Sequence, residues 1–455
     1  MALDGSAAIA GQTRPTPARR VPADAWLAAA LVMLALLISA VGTLRAPSLS
    51  AFDEATHIDY VWKLAHGRVP FGGDVLAPEV LQEWSCRSQD NIADQLPPCG
   101  SDAPASAYPA AGQNYNAFHP PLYYATAAVG VRAVGALAGD VSFVTVARLT
   151  GGVWLALALV GLYLVLRSWR VSPLVAVSGA AALGAVPSVA HAASTVTNDA
   201  PAALCGVLAL AVLTRAVRHD GAGWLVPGVV ALLVASTKVI NSLGFVAVAL
   251  VLLALAVGRA RAGRRRAALR LTTTSLSILV ATAVLYFLWD TVQDGRRLAG
   301  WKSPIAGYHT APVEGLPVEE WLPTLLSAVG LAHDYWLQAS VASFIVPVVA
   351  RALTVLFTAA PFASLALFER GDGRRVVGWA ALAGAVAAPA VVQLNAYVGS
   401  GTYFVHVTSR YALSLVPLTV VALALVADAR RWRVASAAVG LGAAALVVLS
   451  FAGAL

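Results

Sequence analysis

The sequence predicts an all-α membrane protein, a bundle of about eleven transmembrane helices with two large loops on one side. Three observations carry this. Of 455 residues, 59% are hydrophobic and only 12% charged, against about 45–50% and about 25% in a soluble domain; mean hydropathy is +0.74. A soluble enzyme, a disordered chain and a coiled coil are thereby excluded. Apolar runs able to cross ~30 Å of hydrocarbon recur along the chain. Strand-length segments of alternating polarity do not occur, which argues against a β-barrel.

The runs fall at residues 26–44, 143–166, 174–190, 201–213, 243–257, 271–289, 344–368, 376–397, 411–427 and 434–455, with a shorter one at 224–235. Residues 1–25 form a cytoplasmic arm broken by Pro15, Pro17 and Pro22, and 26–455 form one transmembrane domain. The first run starts too late and is too long for a signal peptide.

One more apolar stretch, 121–139, could span, and the basic residues decide against it. With that stretch lying along the outer surface, Arg14, Arg19, Arg20, Arg167, Arg170, Arg215, Arg218, the arginines of 259–270, Arg370, Arg374, Arg375, Arg430, Arg431 and Arg433 all face inward. Counting it as a span would turn every later cluster outward. It therefore reads as a juxtamembrane helix with Arg132 and Asp140 near its end. The net charge of +8 then divides, the inner side carrying 19 basic and 6 acidic residues. The excess marks orientation, and no nucleic-acid partner is expected.

Two loops, 45–142 and 290–340, face outward, and loops of that length are usually functional. Cys86 and Cys99 in the first either pair, as the outside of a bacterial membrane permits, or remain free thiols. Cys205 reads as a small core residue. Seven of the eight histidines (His57, His66, His119, His191, His309, His333 and His406) fall on the outer side, so chemistry is expected there. No internal repeat suggests an inverted-repeat transporter.

The sharpest local feature follows the first span: Phe52-Asp53-Glu54-Ala55-Thr56-His57-Ile58-Asp59-Tyr60. Adjacent carboxylates at a membrane boundary are costly unless solvated or used; the bland alternative is a solvated helix start. The loop closes on His119-Pro120-Pro121-Leu122-Tyr123-Tyr124, whose prolines fix a helix entry. Ser194 to Asp199 form a polar segment, with Asn198 next to Asp199. Ser236-Thr237-Lys238-Val239-Ile240-Asn241 follows a span too short for the core, which places Lys238 below the outer surface. A Lys there snorkels to the headgroups or needs an anionic partner. Arg410, in Thr408-Ser409-Arg410-Tyr411, opposes the inward bias of the basic residues and suits a phosphate. Two cations and two carboxylates on one side form a set suited to lipid-linked sugar transfer. The cations would stabilise charge on a departing phosphate, and a carboxylate would take the acceptor's proton.

On these motifs the chain resembles the GT-C class of integral-membrane glycosyltransferases. The likeness is to the branch holding the aminoarabinose transferases, the protein O-mannosyltransferases and related bacterial membrane proteins of unassigned function. It rests on Asp53-Glu54, the His119–Tyr124 string, Thr237-Lys238, and Arg410-Tyr411 followed by Pro417; Asn198-Asp199 resembles the last of those groups. The resemblance implies a GT-C-type bundle in a bacterial cytoplasmic membrane with an extracytoplasmic active site. It implies Asp53 as general base, with Glu54 supporting it by binding acceptor or metal. His57, His119, Tyr123, Tyr124, Asn198, Asp199, Asn241 and Tyr411 would line the substrate pocket, and Lys238 and Arg410 would bind the lipid phosphate. The implied partners are a polyprenyl-phosphate-linked sugar donor, membrane lipids, and an envelope lipid, glycan or protein as acceptor. No cofactor is required, though a divalent cation at Asp53, Glu54 or His57 stays open. The chain departs from the aminoarabinose transferases in extra residues between Asp74 and Asn116. Competing readings are a transporter or flippase of a lipid-linked sugar, and a surface-polysaccharide polymerase or ligase using a diphosphate-linked donor. Trp301, Tyr308, Trp321, Tyr335 and Trp336 in the second loop suit sugar stacking or an interfacial belt equally.

Overall fold

A computed structural model describes residues 23–51, 53–89, 92–139, 141–307, 310–316, 318–319, 345–405, 407 and 409–453. Most of the N-terminal arm, with Phe52, Asp140, Tyr308, His309, Trp321, His333, Tyr335, Trp336, His406 and Thr408, lies outside the described residues.

The described chain is a helical bundle. Its helices are α1 (Ala23–Arg45), α2 (Glu54–Ala65), α3 (Pro78–Arg87), α4 (Leu122–Ala138), α5 (Phe143–Ser168), α6 (Pro173–Gly184), α7 (Pro187–Ala192), α8 (Ala202–His219), α9 (Leu225–Thr237), α10 (Leu243–Arg261), α11 (Arg265–Asp294), α12 (Ile345–Leu367), α13 (Gly373–Ser400), α14 (Val416–Ala429) and α15 (Arg433–Phe451). The sheet among the described residues is one two-stranded ribbon, β1 (Thr310–Pro312) antiparallel to β2 (Thr402–Phe404).

Nine helical segments among the described residues are long and apolar enough to cross a membrane. They are α1, α5, α8, α10, α11, α12, α13, α15, and the run Arg410–Ala429 made of a 3-10 turn (Ser409–Leu415) and α14. The chain is a multi-pass membrane protein. One expected span differs. The 174–190 run splits into α6 and α7, because Pro187 lacks an N–H and its ring crowds the preceding turn. The 224–235 run is α9, whose 13 residues match the short span expected there and leave it outside the nine.

Hydrogen bonds sort the helix ends into two groups. At one end Asp24 meets Tyr163 and Arg167, Asp428 accepts from the Ser172 N–H, and Asp220 holds Arg259 and Arg264. These are the arginine-rich connections. At the other end Arg45 reaches the Ala452 carbonyl, Thr43 the Ser194 carbonyl, and the Trp289 indole the Phe118 carbonyl. Both ends of α4 stay on this second side: Tyr123 accepts from Thr197 N–H, and Ser142, just past the helix, accepts from Arg87.

The main core lies between α1, α5, α6, α8, α10 and α14. The first loop has a second core of its own, built from Leu49, Ile58, Tyr60, Val61, Leu76, Trp84, Tyr108, Tyr123 and Tyr124. A disulfide joins Cys86 to Cys99. The segment after α11 docks onto this loop: Arg296 donates to the Val69 carbonyl, Leu298 N–H to Gly72, and the Trp301 indole to Gln113. Trp301 is thus a clamp between loops, its ring packed on Gly72.

α14 sits at the centre, buried at every position from Val416 to Ala422. The turn before it fits tightly because α8 and α10 carry glycines there. A Cβ on Gly206 would lie 2.1 Å from the Ser414 carbonyl oxygen, and one on Gly244 2.8 Å from it. Gly206→Val should therefore displace the Arg410 turn, lowering stability by about 1–3 kcal/mol as overpacked cores do. Denaturant unfolding in mixed micelles measures this; an unchanged stability would mean that the contact is slack.

Candidate active site

Asp53 precedes α2 with φ 58° and ψ 16°, in the left-handed region. Non-glycine residues enter it sparingly, Asp and Asn more readily than most. Its carbonyl accepts the Thr56 and His57 N–H groups and the Thr56 hydroxyl. Its carboxylate makes no cap on its own helix. It turns away, with Oδ1 accepting from the Tyr115 hydroxyl at 2.9 Å and Oδ2 facing Arg410 Nη2 at 3.3 Å.

Glu54 points elsewhere and is fully buried. Arg148 grips it through Nε on Oε1 and Nη2 on Oε2, both at 2.8 Å. Backbone N–H groups of Ser50 and Val196 add bonds at 2.6 and 2.8 Å. Burial alone would raise the Glu54 pKa, but Arg148 and the two N–H groups outweigh it and hold it below the ordinary glutamate range. Arg148 also donates to the carbonyls of Ala46 and Ser48. Four donors therefore occupy Glu54, a strut geometry that leaves it no room for acceptor or metal.

Asp199 and Lys238 pair at 2.6 Å, both buried. The second oxygen of Asp199 lies 3.9 Å from Arg410 Nη1. Arg410 so stands between Asp53 and Asp199, and the Tyr411 ring flanks both cations, 5.4 Å from Lys238 and 5.7 Å from Arg410. The expected short span before Lys238 ends at Thr237, and the anionic partner a buried Lys requires is Asp199. Asn241 donates to the Asn198 carbonyl and to Thr237, fixing this turn. The Asn198 side chain is fully buried, and among the described residues neither of its amide atoms has a hydrogen-bond partner.

An aromatic group adjoins the ion cluster. His57 Nδ1 lies 2.8 Å from the Tyr124 hydroxyl, Tyr124 stacks on Tyr60 at 3.8 Å, and Tyr60 donates to the His119 carbonyl. His119 stacks near His57 at 6.3 Å. Tyr123 accepts from the Thr197 N–H, linking α4 to the Asn198-Asp199 segment. Desolvation lowers His57 from 6.5 to about 4, so it is neutral at pH 7.

The sequence-predicted residues thus assemble, except that Glu54 faces a different partner. Two further contributors belong to none of the sequence motifs. Arg148 is a lone arginine inside an apolar span, a signal that ordinarily demands a buried partner. Tyr115 sits in Asn114-Tyr115-Asn116 at the end of the loop's extra residues, with no local pattern to mark it. Burial, with Asp53 beside it, holds its phenol well above the ordinary tyrosine range, so it remains a donor. Among the described residues no three His, Cys, Asp or Glu side chains are grouped to hold a metal ion. No known family model and no curated protein matches the chain.

Two outcomes follow. Arg148→Met strands a buried carboxylate and should cost about 3–5 kcal/mol; Arg148→Lys should recover only part, lacking the fork. Denaturant unfolding reads both, and a neutral Arg148→Met would remove the strut. For His57, the unfolded state binds a proton between pH 6.5 and about 4 that the folded state does not. The His57 contribution to stability is therefore complete above pH 6.5 and is lost as pH drops toward 4, by on the order of 3 kcal/mol. His57→Gln should flatten that slope in thermal unfolding; an equal slope would show that His57 titrates normally.

Proposed function

We propose that the protein is a membrane glycosyltransferase that moves a sugar from a polyprenyl-phosphate-linked donor to an acceptor hydroxyl. One observation carries the reading: Asp53, Asp199, Lys238 and Arg410, from four distant segments, meet in one ion cluster at one end of the apolar bundle. The cluster pairs a carboxylate free of helix capping with two cations that a phosphate would engage.

In this reading the acceptor hydroxyl attacks the anomeric carbon while Asp53 takes its proton. The bond from that carbon to the phosphate oxygen breaks, and polyprenyl phosphate leaves with the electron pair. Lys238 and Arg410 stabilise the charge on it. Asp199 holds those cations in place until phosphate arrives, and the buried amide of the adjacent Asn198 is an unused donor and acceptor. Glu54 acts as strut rather than ligand. The mid-bundle carries few charges, which favours transfer over passage of a polar cargo through the bilayer.

The reading places the cluster on the outer face of a bacterial cytoplasmic membrane. The arginine-rich connections gather at the opposite end, as cytoplasmic ones do, and a disulfide in the first loop suits an oxidising compartment. α6–α7 and α9 complete eleven crossings, and α4 lies along the membrane surface.

The test uses purified protein in lipid nanodiscs with radiolabelled polyprenyl-phosphate glucose, mannose, galactose and arabinose, and envelope membranes as acceptor. Transfer from one donor is expected. Asp53→Asn should lower it by about 10²-fold or more while the protein stays folded. Full activity in Asp53→Asn would sink the role given to Asp53.

A further inference from the structure

Arg410 makes a single contact to Asp53, at 3.3 Å. Arginine and carboxylate normally close into two parallel bonds of about 2.7–2.9 Å. The Arg148–Glu54 pair in this protein does so, at 2.8 Å on both arms. Asp53 departs from that geometry: Arg410 meets Oδ2 alone, and the Tyr115 hydroxyl donates to Oδ1.

The placement of Tyr115 is built. Asn114 donates from Nδ2 to the Thr56 carbonyl and to Asp59 Oδ2, at 3.1 and 2.6 Å. Asn116 donates from its side chain to the Thr56 hydroxyl at 2.7 Å, and from its backbone to Asn114 Oδ1. Both asparagines are buried. They fasten the tripeptide to the first turn of α2 on either side of the tyrosine, and that turn is the one Asp53 heads.

We propose that Tyr115 is a positioning residue, whose hydroxyl holds one oxygen of Asp53 so that Arg410 cannot capture the whole carboxylate. The inference rests on the transferase reading for its purpose. A base needs a lone pair turned to the acceptor hydroxyl, and the cation that receives the departing phosphate must stay available. A closed Asp53–Arg410 fork would cancel both. Tyr115 keeps the two groups adjacent yet separate, and does so from the loop residues in which this chain departs from the aminoarabinose transferases.

The experiment is a double-mutant cycle on the full chain in nanodiscs, with a long-chain polyprenyl monophosphate as the binding probe. Tyr115→Phe keeps the ring and removes only the hydroxyl. It should weaken probe binding about tenfold, the worth of about one hydrogen bond, because Arg410 is drawn onto Asp53. In an Asp53→Asn background the same change should have no effect, since the captor is gone. The thermal midpoint should hold in Tyr115→Phe and fall in Asn114→Ala, which undocks the loop. With a working donor, kcat should drop about tenfold or more in Tyr115→Phe. Equal weakening in both backgrounds, or none in either, overturns the proposal. If the cycle behaves as stated but the wild type transfers sugar from no donor, the transferase reading falls and the partition of Asp53 stands. If the wild type does not bind the probe, both fall.

Discussion

A single buried ion pair, Glu54 with Arg148, sets the geometry of everything around it. Four segments meet on it: the turn from Ala46 to Ser50, the first residue of α2, the sixth residue of α5 and the polar segment at Val196. Removing two charges from water is expensive, and the cost is offset only when every remaining lone pair and proton finds a partner. Here each carboxylate oxygen receives two donors, and the guanidinium also serves two carbonyls. The pair fixes the start of α2 on one side and the Asn198-Asp199 segment on the other.

The two carboxylates of the Asp53-Glu54 motif consequently have opposite fates. Consecutive residues at a helix start point in different directions, and the left-handed backbone at Asp53 exaggerates the divergence. Glu54 goes into the core and is saturated. Asp53 turns toward Tyr115 and Arg410 and stays partly exposed. One carboxylate is thus partly exposed while its neighbour is locked in the core.

Charge within the cluster is balanced, two cations against two carboxylates. Lys238 and Arg410 face Asp53 and Asp199, so neither cation is buried without an anionic partner. Neutral His57 contributes hydrogen bonding and stacking without adding to that balance.

Much of the bundle was legible in the sequence because hydrophobic length and the bias of arginines are local, additive signals. The break at Pro187 was legible in principle, since proline acts on its own turn. The motifs Asp53, Asp199, Lys238 and Arg410 could be placed on one side from the order of the spans alone. Their pairing could not. Which carboxylate meets which cation depends on how helices far apart in sequence rotate and approach, as at Gly206 and Gly244, where small residues let the Arg410 turn sit close. Arg148 gave a readable signal as a charge in an apolar run; Tyr115 gave none, because a tyrosine in a polar loop has no pattern of its own. The sequence by itself determined a multi-pass helical membrane protein and the inventory of charged groups at one end. Only the tertiary structure decided that Glu54 is a strut, that Asp53 is shared between Tyr115 and Arg410, and that Asp199 is the partner of Lys238, because burial and hydrogen bonding across distant segments choose among the charges that sequence can only list.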